Sequence, residues 1–283
     1  MSGLVIVRFV HFTMIMLVFG ACMFRPFMLT DPRQQGRVRN LLDPLVCLMA
    51  GLGLISAVGW LLLVAQDMGG ALDLPTVRKV IADTFFGKVW SLHVLLCAAL
   101  LICLRIPGQR TAVVARPVSA LALATLAPVG HGAMLGGMDG TLLVINQMLH
   151  LFSAGAWLGA LLLMIFLLAK PLGVDMRDLM LRFSGFGLVL VAGVVATGLI
   201  NVWVLTASLW PVPGRSAFAT VLAVKAALVV AMLGLALYHR WALRRGDIPA
   251  HRLQRTVVLE WACGIGALLV VALLGTLAPT PLS

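Results

Sequence analysis

Apolar residues run along this chain in eight long stretches separated by short polar breaks. A hydrocarbon core roughly 30 Å thick takes about 20 apolar residues per helical crossing. The pattern predicts spans near 4–28, 43–66, 84–105, 115–136, 141–169, 179–205, 216–240 and 255–278. The expected fold is all-α: a polytopic membrane protein with eight transmembrane helices, read as a single transmembrane domain over 1–283. A faint duplication runs through the pattern. His11 precedes Gly20-Ala21 as His150 precedes Gly159-Ala160, and Phe86, Val89 and His93 recur at one offset as Phe218, Val221 and Lys225. Four spans return a chain to the side it started from, so this spacing predicts a 4+4 parallel repeat.

Composition narrows the function. Hydrophobic residues make up 61% of the 283 positions and charged residues 11%, outside the range of soluble globular domains. Little chain is left for a soluble domain, so the activity is expected within the bilayer or at its faces, which excludes most hydrolytic chemistry; no enzyme is expected. A net charge of +11 is compatible with nucleic acid until its placement is considered. The segments that include Arg25 to Arg39, Arg105 to Arg116, Lys170 to Arg182 and Arg240 to Arg255 hold 15 Lys and Arg. The alternate segments hold only Arg78, Lys79 and Arg215. Basic residues gather on the cytoplasmic side of membrane proteins. The expected partner is therefore the lipid bilayer of a bacterial inner membrane, with no nucleic acid, and both termini are expected in the periplasm. No basic n-region or small-residue cleavage site accompanies the first span, which is expected to be retained. The cysteines Cys22, Cys47, Cys97, Cys103 and Cys263 fall inside or at the cytoplasmic ends of spans, so no disulfide framework is expected.

Four histidines carry the candidate chemistry. At 1.5 Å per residue, His11, His93 and His150 lie roughly 12 Å below the outer surface and His131 roughly 7 Å below it. One intramembrane histidine is often interhelical glue, but four at similar depth point to a site for a metal or for haem iron. Their neighbours are soft donors. His11, Met14, Val18 and Cys22 share a helical face, as do Trp90, His93 and Cys97, while His131, Met134 and Met138 line up in the fourth span. Imidazole, thioether and thiolate suit Cu(I) better than Cu(II). The expected metal ligands are His11, His93, His131, His150, Met14, Met134 and Met138. Lys225 is matched with Asp67, Asp139 or Asn201 as its outward partner, and Glu260 with Arg182, Arg240 or Arg255. Gly132-xxx-Gly136 and Gly155-xxx-Gly159 are expected to let the fourth and fifth spans approach closely.

Several segments together resemble the copper resistance protein D (CopD) family. They are Arg8-Phe-Val-His11 with Gly20, Gly130-His131-Gly132, and His150-Leu-Phe-Ser-Ala-Gly-Ala-Trp157-Leu-Gly159. Arg182-Phe-Ser184 with Thr197-Gly198, Lys225, Glu260 and the closing Thr276-Leu-Ala-Pro279 extend the resemblance over essentially the whole chain. The resemblance implies an eight-helix inner-membrane protein that moves copper from periplasm to cytoplasm, beside a separate periplasmic CopC-like copper-binding protein. His239-Arg240 departs from the family, where Asn commonly precedes the arginine. Two other readings remain at this stage: a b-type cytochrome holding haem b between histidines and exchanging electrons with quinone, and a docking or sensing subunit. No Gly-x-x-x-x-Gly-Lys-Ser/Thr loop is present to couple ATP to transport.

Overall fold

The computed structural model describes residues 2–29, 31–106, 108–130, 135–206, 208, 212–245 and 249–277. Among them it forms the helices α1 (Ser2–Met28), α2 (Pro32–Gly69), α3 (Leu74–Asp83), α4 (Phe85–Arg105), α5 (Gln109–Ala124), α6 (Gly137–Ala169), α7 (Met176–Thr206), α8 (Ala217–Arg245) and α9 (Ala250–Leu274). The described residues contain no strand. Seven of these helices are long and apolar enough to cross a membrane: α1, α2, α4, α6, α7, α8 and α9. The protein is therefore polytopic and all-helical.

The fourth expected span, 115–136, does not form one long helix. Helix α5 has 16 residues, about 24 Å of rise, which is short of the roughly 30 Å core. Pro128 explains where it stops, because it has no N–H for the carbonyl of Ala124 and its ring clashes there. The chain tightens instead into successive turns, with Leu126 N–H donating to Leu123 O and Ala127 N–H to Ala124 O. The polar segment 29–42 also departs from expectation, because α2 begins at Pro32 and runs unbroken for 38 residues. Asp31 caps it by accepting from Arg33 N–H, and Pro32 suits the first helical position.

Helix α1 is the hub. It packs against α2, α5, α6 and α9, and Ile15 to Phe19 are all buried, so it is enclosed on every side rather than along one stripe. The lipid-facing surface lies elsewhere, on mid-helix residues such as Ile55, Leu95 and Val189. The closest backbone approach joins α1 to α6. A Cβ on Gly20 would strike Gly155 O and Gly159 Cα, and one on Gly159 would strike Gly20 Cα. The Gly155-xxx-Gly159 face thus serves the first span chiefly, rather than the fourth as expected, because Gly20 provides the matching gap. Gly132 of the other motif lies outside the described residues.

Toward the basic end, α6, α8 and α9 are tied by a buried carboxylate. Glu260 is fully buried; its Oε1 accepts from Trp157 Nε1–H at 2.9 Å and its Oε2 lies 3.1 Å from His239 Nδ1. Thr256 donates its hydroxyl proton to Arg252 O and so accepts from His239 Nε2–H at 2.7 Å. The partner of Glu260 is therefore a histidine instead of an expected arginine. Arg182 pairs with Asp178 and Arg240 donates to Ser184.

Two stability outcomes follow, both measurable by thermal or denaturant unfolding in detergent. Gly159→Val should cost about 1–3 kcal/mol or more, since the obstruction is backbone, while Gly51→Ala, with nothing within 4 Å of the new methyl, should be neutral or mildly stabilising. His239→Ala should cost about 3 kcal/mol by removing the ring 3.1 Å from the buried Glu260 carboxylate, which then keeps only its hydrogen bond from Trp157. Replacing both by apolar residues should recover much of that loss.

Candidate metal centre

His11 on α1 and His93 on α4 are fully buried and meet edge to edge, with Nε2 to Nε2 at 2.9 Å and ring centroids 4.9 Å apart. Each ring is oriented from behind by the same device. His11 Nδ1 lies 3.1 Å from both Gly53 O and Ser56 Oγ, and the Ser56 hydroxyl donates to Gly53 O. His93 Nδ1 lies 3.1 Å from Ala122 O and 2.7 Å from Thr125 Oγ1, and the Thr125 hydroxyl donates to Ala122 O. The second carbonyl is available because α5 ends there: residue 126, which would continue the helix by donating to Ala122 O, bonds to Leu123 O instead.

These partners fix the protonation of both rings. A carbonyl only accepts, and each hydroxyl has already spent its proton on that carbonyl, so each Nδ1 must carry the hydrogen. Both Nε2 atoms then present bare lone pairs to one another. The one hydrogen-bond donor near them among the described residues is the thiol of Cys97, one turn along α4, whose Sγ is 3.3 Å from His93 Nε2; a thiol is a weak donor. At 2.9 Å two such nitrogens are balanced by a shared proton or, with the rings slightly parted, by a metal cation between them. The walls suit one: Trp90 stacks on His93 at 4.8 Å, Trp60 meets Trp90 at 4.6 Å, and both indoles lie within 6 Å of His11. Aromatic faces exclude water and favour positive charge. Trp90 is held in place by its Nε1–H bond to Ala57 O, 2.8 Å.

The remaining expected ligands are dispersed. Met14 is half-buried one turn along α1 from His11, beside Gly53. Met138, at the start of α6, is 73% exposed. His131 and Met134 lie outside the described residues. His150 does not join the pair; its Nδ1 bonds Thr197 Oγ1 at 2.9 Å, and its ring lines a separate cavity among α1, α6, α7, α8 and α9. Lys225 lines that same cavity and has no acidic partner among the described residues, in contrast to the expected pairing with Asp67 or Asp139. No set of three or more His, Cys, Asp and Glu side chains among the described residues forms a ready-made metal cluster; the centre is a two-nitrogen one. Ser56, Thr125 and the carbonyls of Gly53 and Ala122 were not anticipated. Their signal was a small hydroxyl residue in each apolar span at the depth of a histidine, and Pro128 just after the second.

At the basic end a larger cavity of about 760 Å³ is lined by Arg25, Arg39, Arg105 and Arg116 together with Cys22, Cys47 and Cys103. Arg105 Nε donates to Cys47 Sγ at 2.9 Å, and Arg25 pairs with Asp43 at 2.5 Å. Arginines expected on one side of the membrane thus do share one end of the bundle, and three of the five cysteines sit among them.

Comparison with known proteins adds an independent line. A family model described as copper resistance protein D-like, N-terminal domain, matches residues 1–141, and one described as copper resistance protein D matches residues 177–274. The chain is 30% identical to copper resistance protein D of Pseudomonas syringae pv. tomato, over 96% of each chain. It is 29% identical to inner membrane protein YebZ of Escherichia coli (strain K12), over 96% of this chain and 97% of that one. Copper transport protein CutJ of Bacillus subtilis (strain 168) is 28% identical over 97% of this chain, which spans 52% of that protein. No solved structure matches. Matched along nearly its whole length, the chain belongs to the copper resistance protein D family.

Proposed function

We propose that this protein carries copper across the bacterial inner membrane from periplasm to cytoplasm, as Cu(I), and acts as a transporter rather than an enzyme. The single observation that carries this reading is the convergence of two bare imidazole nitrogens, His11 Nε2 and His93 Nε2, in a buried aromatic box. Cu(I) accepts soft, low-coordinate nitrogen and sulfur ligands. With metal–nitrogen bonds of about 2.0 Å, two opposed imidazoles stand about 4 Å apart, so the rings part by about 1 Å to admit the ion. Cys97 is placed to add a sulfur ligand by releasing its proton. Met138, His131 and Met134 would pass the ion inward from the outer end, Met14 lies one turn beyond His11, and the cavity with Cys22, Cys47 and Cys103 offers thiols at the basic end. His150 is the outer-half histidine whose surroundings, with Lys225 in the same cavity, suit a metal cation least. An inward-moving monovalent cation gains about 2.3 kcal/mol per 100 mV of membrane potential, which supplies a driving force without nucleotide. Delivery of the ion by a periplasmic CopC-like protein completes this reading.

Competition of the detergent-purified protein against a Cu(I) chelator under reducing conditions tests the centre. His11→Ala and His93→Ala should each abolish high-affinity binding. Ser56→Ala and Thr125→Ala should weaken it about 10–100-fold, as loss of an orienting partner does at other metal sites. His150→Ala should bind as the wild type does. Wild-type affinity in both the His11 and His93 variants would sink the proposal, and a Soret band lost on the same substitutions would replace it with the haem b reading. In cells, the His11 and His93 variants should also lose copper accumulation, measured by elemental analysis at matched expression.

A further inference from the structure

The cavity around His150 has a polarity that copper transport does not explain. It encloses about 170 Å³ and its polar walls are Arg8, Gln147, His150, Asn201 and Lys225, with no carboxylate among its described lining residues. Lys225 stands eight residues into α8, about 12 Å from its outer end, at a depth where an ammonium needs a partner. Among the described residues it has no ion pair. Arg8 donates Nη1–H to Gly275 O at 2.9 Å and faces Trp60 at 4.8 Å, but its buried Nε–H has no hydrogen-bond acceptor among the described residues.

The neutral groups are turned the same way. Asn146 Nδ2 donates to the carbonyl of Thr197 at 3.0 Å and to Asn201 Oδ1 at 2.9 Å, and Asn201 Nδ2 donates to Gln147 Oε1 at 2.8 Å. Because the series starts at a backbone carbonyl, which only accepts, every amide in it is oriented, and the last donor, Gln147 Nε2, has no acceptor among the described residues. Lys225, the Arg8 side chain and an amide with a donor to spare therefore line one space. The rest of the lining is largely apolar, with Phe12, Leu143, Phe218 and Leu222 in it.

We propose that this cavity is an anion site that takes a small monocarboxylate, its two oxygens shared among Lys225, Arg8 and Gln147 and its short apolar tail against the phenylalanine and leucine walls. The volume exceeds that of a bare halide, and a planar two-oxygen acceptor meets donors from several directions at once. The site is independent of copper binding at His11 and His93, and its test runs without metal.

Equilibrium dialysis of the purified full chain against radiolabelled butyrate reads it directly. Saturable binding of one equivalent is expected, displaced by acetate and not by propanol. Lys225→Gln should weaken it roughly tenfold or more, the scale of losing a hydrogen bond to a charged group. Gln147→Glu provides a carboxylate from within, so it should abolish butyrate binding while unfolding at a temperature no lower than the wild type. That second variant decides the matter if Lys225→Gln does not fold. Non-saturable binding, displacement by chloride in preference to acetate, or butyrate binding retained in the Gln147→Glu variant would each overturn the proposal.

Discussion

Two backbone carbonyls, Gly53 O and Ala122 O, set the polarity of the centre of this molecule. Each is an acceptor that cannot change its role, and each holds a proton on the rear nitrogen of one histidine. The front nitrogens are left as lone pairs, and burial in an apolar medium makes that arrangement costly until a cation arrives. On the proposed reading, the affinity for copper would originate one layer behind the two imidazoles. A helix carbonyl in regular structure is already engaged by the N–H four residues on, and the break at the end of α5 is what releases Ala122 O to take a side chain. The shortness of the fourth span and the orientation of His93 are thus one feature. A discontinuous helix near the middle of the membrane, tolerated because its loose backbone groups face protein, is a recurrent way for transporters to make ion sites.

The hub position of α1 follows from the same economy of space. It carries one of the two histidines, so it must touch α2 and come within reach of α4, and it carries Gly20, so it can lie backbone to backbone with α6. In lipid no hydrophobic effect draws helices together. Close packing at glycines and a few polar ties such as Trp157 to Glu260 do that work instead, and they leave α7 and α8 the most lipid-exposed of the long helices.

Hydropathy located six of the seven long helices within about five residues, because a run of apolar residues in the bilayer has one structural outcome, but it missed the polar first turns of α2, which begins at Pro32 and not near residue 43. The broken fourth span was less legible. Its apolar residues continue through 115–136, and only Pro128 marks the interruption. Depth counting placed His11 and His93 at one level correctly, yet it put His150 with them, since a rise per residue gives height and says nothing about azimuth. The face-sharing of Trp90, His93 and Cys97 did carry azimuth and is realised in the structure. Ser56 and Thr125 escaped because a hydroxyl in a membrane helix ordinarily bonds its own backbone, and both do so while serving a histidine as well.

Gly20 and Gly159, matched in the duplicated pattern, meet each other at the crossing of α1 and α6. Ser56 and Thr197 likewise stand behind His11 and His150. In a dimer of identical subunits, positions related by the axis must hold the same residue, so a change that improves one pocket is imposed on the other. Two halves in one continuous chain escape that constraint. The position that the duplicated pattern matches with His93 is Lys225, so one pocket opposes a second imidazole to its histidine where the other carries a lysine. Covalent linkage would let the halves of such a duplicated pattern diverge, so that one histidine meets a second imidazole while the other shares its cavity with a lysine.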